Sequence, residues 1–169
     1  MDIVLLGESN AGKTTIANNL VKNHGYQKIT PVDNLKRHLE KINNLDPFSL
    51  DTQEGKNKKL TNGITYGKLL VDLFFFWDVF DPLYSAKNLE KSLEEGKSSS
   101  PIVFDSIRTY PELKVLMDSA ETKFFLIERE GSIVKPSDRE LLANLERVDY
   151  VTINNNRCIK DVIWEILNA

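Results

Sequence analysis

The chain has 169 residues, a length that suits one compact domain and excludes a second full one. Apolar residues at 41% and charged residues at 28% sit near globular averages, which argues against disorder and fibrous repeats. A balance of 22 Lys and Arg against 25 Asp and Glu gives a net charge of -3, without the positive field that nonspecific nucleic-acid binding needs. A lone cysteine, Cys158, and two histidines, His24 and His38, leave no internal disulfide and almost no route to a Cys/His zinc site, so a reducing, cytoplasmic setting is expected. No stretch approaches the roughly 20 apolar residues of a membrane span. Asp2 and the short run after it have neither the basic start nor the apolar length of a secretory leader.

In chain order, Ile3 to Leu6 is a continuous apolar run ended by Gly7, as in a central parallel strand. Lys13 to Lys22 follows with Ile16, Leu20 and Val21 at helical spacing, and Gly25 is placed to cap that helix. Tyr26 to Thr30 reads as an edge strand, and Pro31 opens a helix carrying Val32, Leu35 and Leu39 on one face. Asn43 to Asn62 is polar and aperiodic and is expected to be a mobile connection. The dense apolar stretch from residue 65 to 95 predicts two helices broken at Pro82 and ended by Glu94-Glu-Gly96. Ser98 to Pro101 is then a loop, Ile102 to Phe104 a buried strand, Pro111 to Ser119 a helix, and Lys123 to Glu128 a strand. Asp138 to Glu146 reads as a helix, Tyr150 to Ile153 as a strand, and Ile159 to Leu167 as a final helix. Five strands alternating with helices predict an α/β, doubly wound parallel sheet with ligands at the carboxyl ends of its strands.

Gly7-Glu-Ser-Asn-Ala-Gly-Lys-Thr14 lies between the first strand and the first helix. It fits the phosphate-loop pattern of Gly, four residues, Gly-Lys and Ser or Thr, in the context that pattern requires. Gly7 and Gly12 allow the turn, and the backbone from Ser9, Asn10 and Ala11 through Gly12, Lys13, Thr14 and Thr15 is expected to cradle phosphate at a helix N-terminus. Lys13 is expected to reach the β- and γ-phosphates of ATP and the Thr14 hydroxyl to ligate Mg²⁺. No Asn-Lys-x-Asp guanine reader follows the last strand, where Asn154-Asn-Asn-Arg157 stands instead, so a GTP switch is not indicated.

Ile102-Val-Phe-Asp-Ser-Ile-Arg108 ends a second buried strand in chemistry-bearing residues. Asp105 at the strand end is placed to hold Mg²⁺ through water, and the planar fork of Arg108 suits the acceptor phosphate or the transferring phosphoryl group. The competing readings are a helix cap for Asp105 and an ion pair with Glu112 for Arg108.

The phosphate loop, Glu54-Gly-Lys56, Gly63-Ile-Thr-Tyr66 with Leu69-Leu70, Asp105 to Arg108 with Pro111-Glu112, Ser137 to Glu140, and Asp149 to Asn154 occur in an order that resembles the bacteriophage-type deoxynucleoside monophosphate kinases. The phosphomevalonate kinases are similar in the Asp-x-x-Arg and C-terminal parts. The resemblance implies one three-layer phosphate-loop kinase domain over residues 1–169, on a five-stranded parallel sheet of order 2-3-1-4-5. It implies a helical acceptor-binding arm over about 31–97, a short lid over about 129–139, and transfer of the ATP γ-phosphoryl to the 5'-phosphate of a deoxynucleotide. Arg129 and Asn154 are assigned to ATP, Arg129 also to catalysis with Arg139 as a second clamp, and Glu112 to the substrate. Neither nucleic acid nor membrane is an implied partner. Tyr66 is followed by Gly67-Lys68 where related sequences continue with arginine, so Lys68 is the candidate replacement on the acceptor.

Lys36 and Arg37 lie where monophosphate kinases place their acceptor arm and are candidates for the acceptor phosphate, against a reading as a solvated helix face. Tyr66 is the preferred base-stacking ring and Trp77 the alternative, while most of Phe74 to Trp77 is expected to be core or a homodimer interface. The alternatives kept open are a kinase for another small phosphorylated acceptor, such as a phosphomevalonate-like molecule or a coenzyme precursor, and a noncatalytic ATP-binding regulator.

Overall fold

A computed structural model of the chain describes residues 1–95, 100–118 and 121–169, without the side chains of Asp78 and Ser137. The expected helix end at Gly96, the first half of the Ser98 to Pro101 loop and the helix end at Ser119 lie outside the described residues. The chain divides into two compact units, Met1–Thr30 with Leu89–Ala169, and Pro31–Asn88.

The first unit is built on a parallel sheet of β1 (Asp2–Leu6), β2 (Gln27–Ile29), β3 (Ile102–Phe104), β4 (Thr122–Glu128) and β5 (Tyr150–Asn154), in the order β2-β3-β1-β4-β5. This is the expected order 2-3-1-4-5. The continuous apolar run of β1 is fully buried because it pairs on both sides, with Val4 beside Phe104 of β3 and Phe124 of β4. Alternation along the strands separates two cores. Ile3, Leu5, Phe125 and Ile153 pack with Ile16 and Leu20 of α1 (Lys13–His24) and with Val162, Ile163 and Ile166 of α8 (Ile159–Asn168). Val4, Leu6, Phe104 and Phe124 pack on the other face with Leu113 and Leu116 of α6 (Tyr110–Met117) and Leu141 of α7 (Arg139–Ala143). Gly25 closes α1 as expected, at φ 73° with its N-H donating to the Leu20 carbonyl. Val21 turns out to solvent.

The expected single helix over Asp138 to Glu146 is instead a 3-10 turn (Pro136–Asp138), the five-residue α7, and a second 3-10 turn (Leu145–Arg147). Asn144 ends α7 with its side-chain amide donating to the Glu140 carbonyl, a local bond that competes with helix continuation.

The second unit carries α2 (Asp33–Ile42), α3 (Gln53–Asn57), α4 (Tyr66–Phe80) and the start of α5 (Tyr84–Glu95), with the helix break falling at Asp81-Pro82. Its core joins Leu39, Leu50, Tyr66 and Leu70. The expected mobile connection over Asn43 to Asn62 is structured, with a 3-10 turn (Ser49–Asp51) and α3. Leu50 is fully buried, and the Glu40 carboxylate, 4% exposed, accepts from the Phe48 N-H at 3.1 Å and the Leu50 N-H at 2.8 Å. Order in this stretch comes from a carboxylate on α2, a signal that helical or strand periodicity does not contain. No helix among the described residues is long and apolar enough to cross a membrane.

Candidate functional site

The loop after β1 arches through three left-handed residues, Gly7 at φ 127°, Asn10 at φ 69° and Gly12 at φ 95°, before α1 begins at Lys13. Gly7 lies so close to β4 that a Cβ would sit 2.4 Å from the Ile127 carbonyl oxygen. A Cβ on Gly12 would sit 2.2 Å from Nδ2 of Asn155. Asn155 donates from that Nδ2 to the Ala11 carbonyl at 2.7 Å, so the chain after β5 braces the loop. Asn10, Thr14 and Thr15 are exposed and Ser9 half-buried at the mouth of this arch.

Lys13 folds over the loop, donating to the carbonyls of Gly7 at 2.5 Å and Glu8 at 2.7 Å. Burial, reinforced by the nearby Arg108 guanidinium, lowers its pKa from the ordinary 10.5 to about 8, with Asp138, Asp105 and Glu8 opposing that shift. The groups that act on Lys13 thus include both members of the strand-end motif, Asp105 and Arg108. Ser106, at φ 69°, turns the chain between them. Asp105 is 2% exposed, and its Oδ1 has no hydrogen-bond partner among the described residues. An orphaned carboxylate oxygen on a residue that acts electrostatically on Lys13 fits a water of hydrated Mg²⁺, with the exposed Thr14 hydroxyl as the direct ligand. Among the described residues no group of three His, Cys, Asp or Glu could hold a metal. Mg²⁺ ordinarily takes one or two protein ligands and completes its shell with water and substrate phosphate.

Arg108 pairs through Nη1 with Oδ1 of Asp138 at 2.7 Å. Glu112 is fully buried and closes a capping box with Thr109, its Oε2 accepting from the N-H groups of Arg108 and Thr109. That is a structural role in place of the expected substrate contact.

The segment over residues 129–139, whose sequence lacks apolar periodicity, is tied to the loop by polar bonds. The Ile133 N-H donates to the Ser9 carbonyl at 3.0 Å, the Ser132 hydroxyl donates to the Glu8 carboxylate, and Asp138 accepts from Ser9. Arg129 brings Nη1 to 3.9 Å from where a Gly12 Cβ would stand, beside the loop. Arg139 is exposed at the start of α7. Asn154 accepts from the Asn156 N-H through Oδ1, and both line a cleft of about 390 Å³ with Gly7, Glu8, Glu128 and Arg129. Sequence reading gave no role to Asp138 and Asn155. Asp138 meets Ser9 and Arg108 across 129 and 30 residues of chain, and Asn155 meets Ala11 across 144, beyond any local pattern.

The remaining assigned residues belong to the Pro31–Asn88 unit, and that unit largely occupies them itself. Lys36 is 4% exposed and donates to Asp33 at 2.7 Å and Asp51 at 3.1 Å. Arg37 bonds Glu40 at 2.8 Å and Asp51 at 2.6 Å, with its guanidinium 4.4 Å over the Phe48 ring. Both cations, expected on an acceptor phosphate, neutralise carboxylates within their unit. Tyr66 is 6% exposed and part of the core. Lys68 forms an exposed i,i+4 pair with Asp72. A Cβ at Gly67 would sit 3.3 Å from the Lys56 carbonyl oxygen, so α3 passes close there. Of Phe74 to Trp77 only Phe74 is buried, and Trp77, 40% exposed, stacks on Tyr84 at 5.1 Å and 17°.

Neither a protein-family model nor a curated protein sequence matches the chain. A solved sugar kinase from Janibacter sp. HTCC2649 is 16% identical over 99% of this chain and 92% of its own, with a TM-score of 0.54. The chain shares the fold of that kinase. A gluconokinase from Sinorhizobium meliloti 1021 (16% identity, 99% and 89% covered, TM-score 0.45) and a dephospho-CoA kinase from Campylobacter jejuni (16%, 98% and 94%, 0.46) also align.

Proposed function

We propose that the chain is an ATP-dependent phosphotransferase whose acceptor is a deoxynucleoside 5'-monophosphate. The observation that carries the phosphotransfer reading is the convergence of Asp105 and Arg108, from the end of β3, on Lys13 of the phosphate loop. In this reading an oxygen of the acceptor phosphate forms a bond to the γ-phosphorus of ATP while the bond to the β-γ bridging oxygen breaks, giving ADP and a diphosphate. The nucleophile is already anionic, so no side chain has to remove a proton, and the protein's work is positioning and charge neutralisation. Lys13 and the loop N-H groups hold the donor phosphates, Arg108 faces the transferring group, and Arg129 holds the donor side. Thr14 directly, and Asp105 through water, would hold a Mg²⁺ ion, which would supply positive charge to the donor phosphates.

The deoxynucleotide acceptor rests on the motif resemblance. The engagement of Lys36 and Arg37 with Asp33, Asp51 and Glu40 favours a second reading, a different small phosphorylated acceptor recognised by other groups. The test is acceptor-dependent ADP release across a panel of deoxynucleoside and nucleoside monophosphates, phosphomevalonate, coenzyme-precursor phosphates and simple sugars, with Lys13→Ala as control. Release with a deoxynucleoside monophosphate, lost in the control, is expected. Turnover only with another phosphorylated member selects the second reading, and turnover only with a sugar overturns both acceptor readings. ATP binding without turnover on any of them overturns the enzyme in favour of a nucleotide-binding regulator.

A further inference from the structure

Asp138 belongs to neither chemistry-bearing motif, yet it is 3% exposed and joins three stretches of chain. Its Oδ2 accepts from the Ser9 N-H at 3.1 Å, the Ser9 hydroxyl at 2.8 Å and the Lys135 N-H at 3.1 Å, while Oδ1 accepts from Arg108 Nη1 at 2.7 Å. A carboxylate buried this far is tolerable only when paired and fully hydrogen-bonded, and these four donors meet that condition. Two of the contacts bear on phosphate chemistry, since Ser9 is in the phosphate loop and Arg108 ends the strand motif. A guanidinium on a flexible stem is a poor electrostatic catalyst unless something fixes it, and the charge-assisted bond from Nη1 to Oδ1 of Asp138 is such a tether.

We propose that Asp138 is a positioning residue, holding the Arg108 guanidinium in fixed register with the phosphate loop so that it meets the transferring phosphoryl group. The proposal deepens the phosphotransfer reading and rests on it. The rival is a clasp that only fastens residues 129–139 to the loop, and the two separate because positioning works through Arg108 whereas a clasp does not.

The test is a double-mutant cycle of Asp138→Asn and Arg108→Ala, with kcat and the KM for ATP measured on the acceptor that the panel identifies. Asp138→Asn preserves volume and removes the charge. It is expected to lower kcat by about 10²-fold, the effect of displacing a catalytic group by an ångström. The KM for ATP is expected to stay within about threefold, because Lys13 and the loop are retained. In the Arg108→Ala background the same change is expected to alter kcat by no more than about twofold, the usual limit of additivity error. An unchanged kcat in the single variant, or an undiminished loss in the Arg108→Ala background, overturns positioning. Should Asp138→Asn fold poorly, Arg108→Lys carries the same question, since it keeps the charge without the planar fork, and an unchanged kcat is again the overturning result. If no acceptor turns over, the phosphotransfer reading fails separately, and nitrogen NMR of the Arg108 guanidinium decides the placement. Slow N-H signals in the unaltered protein that average in Asp138→Asn support it, and identical signals refute it.

Discussion

Replacing Lys13 with methionine should make the protein more stable and inactive at once. The folded environment lowers the Lys13 pKa from 10.5 to about 8, because the ammonium is buried and has Arg108 beside it. By linkage that difference is roughly 3 kcal/mol against folding whenever the lysine is charged in both states. Lys13 binds its proton in the folded and unfolded chain alike below pH 8, so the full penalty applies at pH 7. Between pH 8 and 10.5 the folded protein releases the proton first, and above 10.5 the penalty vanishes. Loss of the two bonds to the Gly7 and Glu8 carbonyls offsets part of the gain, at about 1 kcal/mol net each where water can take over. Methionine keeps most of the packing of the stem, so a net stabilisation of about 1 kcal/mol is expected at pH 7, shrinking through zero as pH rises past 10. Turnover should fall by about 10²-fold or more, as when a preorganised charge is removed from a phosphoryl or oxyanion site. Urea unfolding of both proteins without ligand across pH 6 to 10.5, with the acceptor-dependent assay alongside, measures both quantities. A variant that is less stable at pH 7, or a stability difference that ignores pH, refutes the electrostatic account. Retained turnover refutes the role of Lys13.

Glu40→Gln should destabilise the Pro31–Asn88 unit by about 3 kcal/mol in urea unfolding, because Arg37 loses its buried partner and the Phe48 and Leu50 amides keep only a weaker acceptor. A loss under 1 kcal/mol would show that loop 43–62 is held by Leu50 packing alone. Burial alone would push the Asp51 carboxyl above its usual range, yet Lys36 and Arg37 hold it below 3.8. Its contribution to stability is therefore present above pH 3.8 and lost as pH falls through the lowered value, so Asp51→Asn should be destabilising at pH 7 and nearly neutral in strong acid. Thermal melts of both proteins between pH 2.5 and 7 check this, and a constant gap would contradict it. Gly12→Ala should cost about 2–4 kcal/mol and abolish ATP binding by calorimetry, since φ 95° strains any side chain and the added Cβ displaces Asn155 from Ala11. Asn155→Ala, which loses only that brace, should cost about 1 kcal/mol and weaken ATP binding far less.

What was legible in the sequence was whatever a short stretch determines alone. The β1 run, the glycine-lysine loop and the start of α1 are set by apolar continuity and backbone permissiveness, and Asp105 and Arg108 are marked by their place after a buried strand. Asp138 and Asn155 were illegible because their partners, Ser9 and Arg108 for the one and Ala11 for the other, lie 30 to 144 residues away, and nothing in Pro136-Ser-Asp138 or Asn154-Asn-Asn156 names them. The helix bearing Lys36 and Arg37 misled for the opposite reason. Two adjacent cations look like a phosphate site until Asp33, Glu40 and Asp51 are seen to surround them. Tyr66 shows the same limit, for a ring beside a turn is equally suited to a base and to the Leu39, Leu50 and Leu70 core that buries it.

The charges around Lys13 set two like cations against three carboxylates. Two cations, Lys13 and Arg108, stand close enough for Arg108 to depress the Lys13 pKa, and three carboxylates, Asp138, Asp105 and Glu8, partly compensate. Of these, Asp138 is committed to four donors and Glu8 to Ser132, whereas the Oδ1 atom of Asp105 has no partner among the described residues. A polyphosphate entering this loop would replace cation repulsion with attraction, so part of its binding free energy is already stored as the penalty on Lys13. The same polyphosphate would bring anions toward Asp105, which is unfavourable unless a divalent cation stands between them. Lys13 thus accounts for affinity toward phosphate and Asp105 for a dependence on Mg²⁺. ATP added with Mg²⁺ should accordingly raise the melting temperature more than ATP with a chelator, and Asp105→Asn should narrow that difference while Lys13→Met lowers both shifts. Equal shifts with and without Mg²⁺ in the unaltered protein would remove Asp105 from the metal's shell.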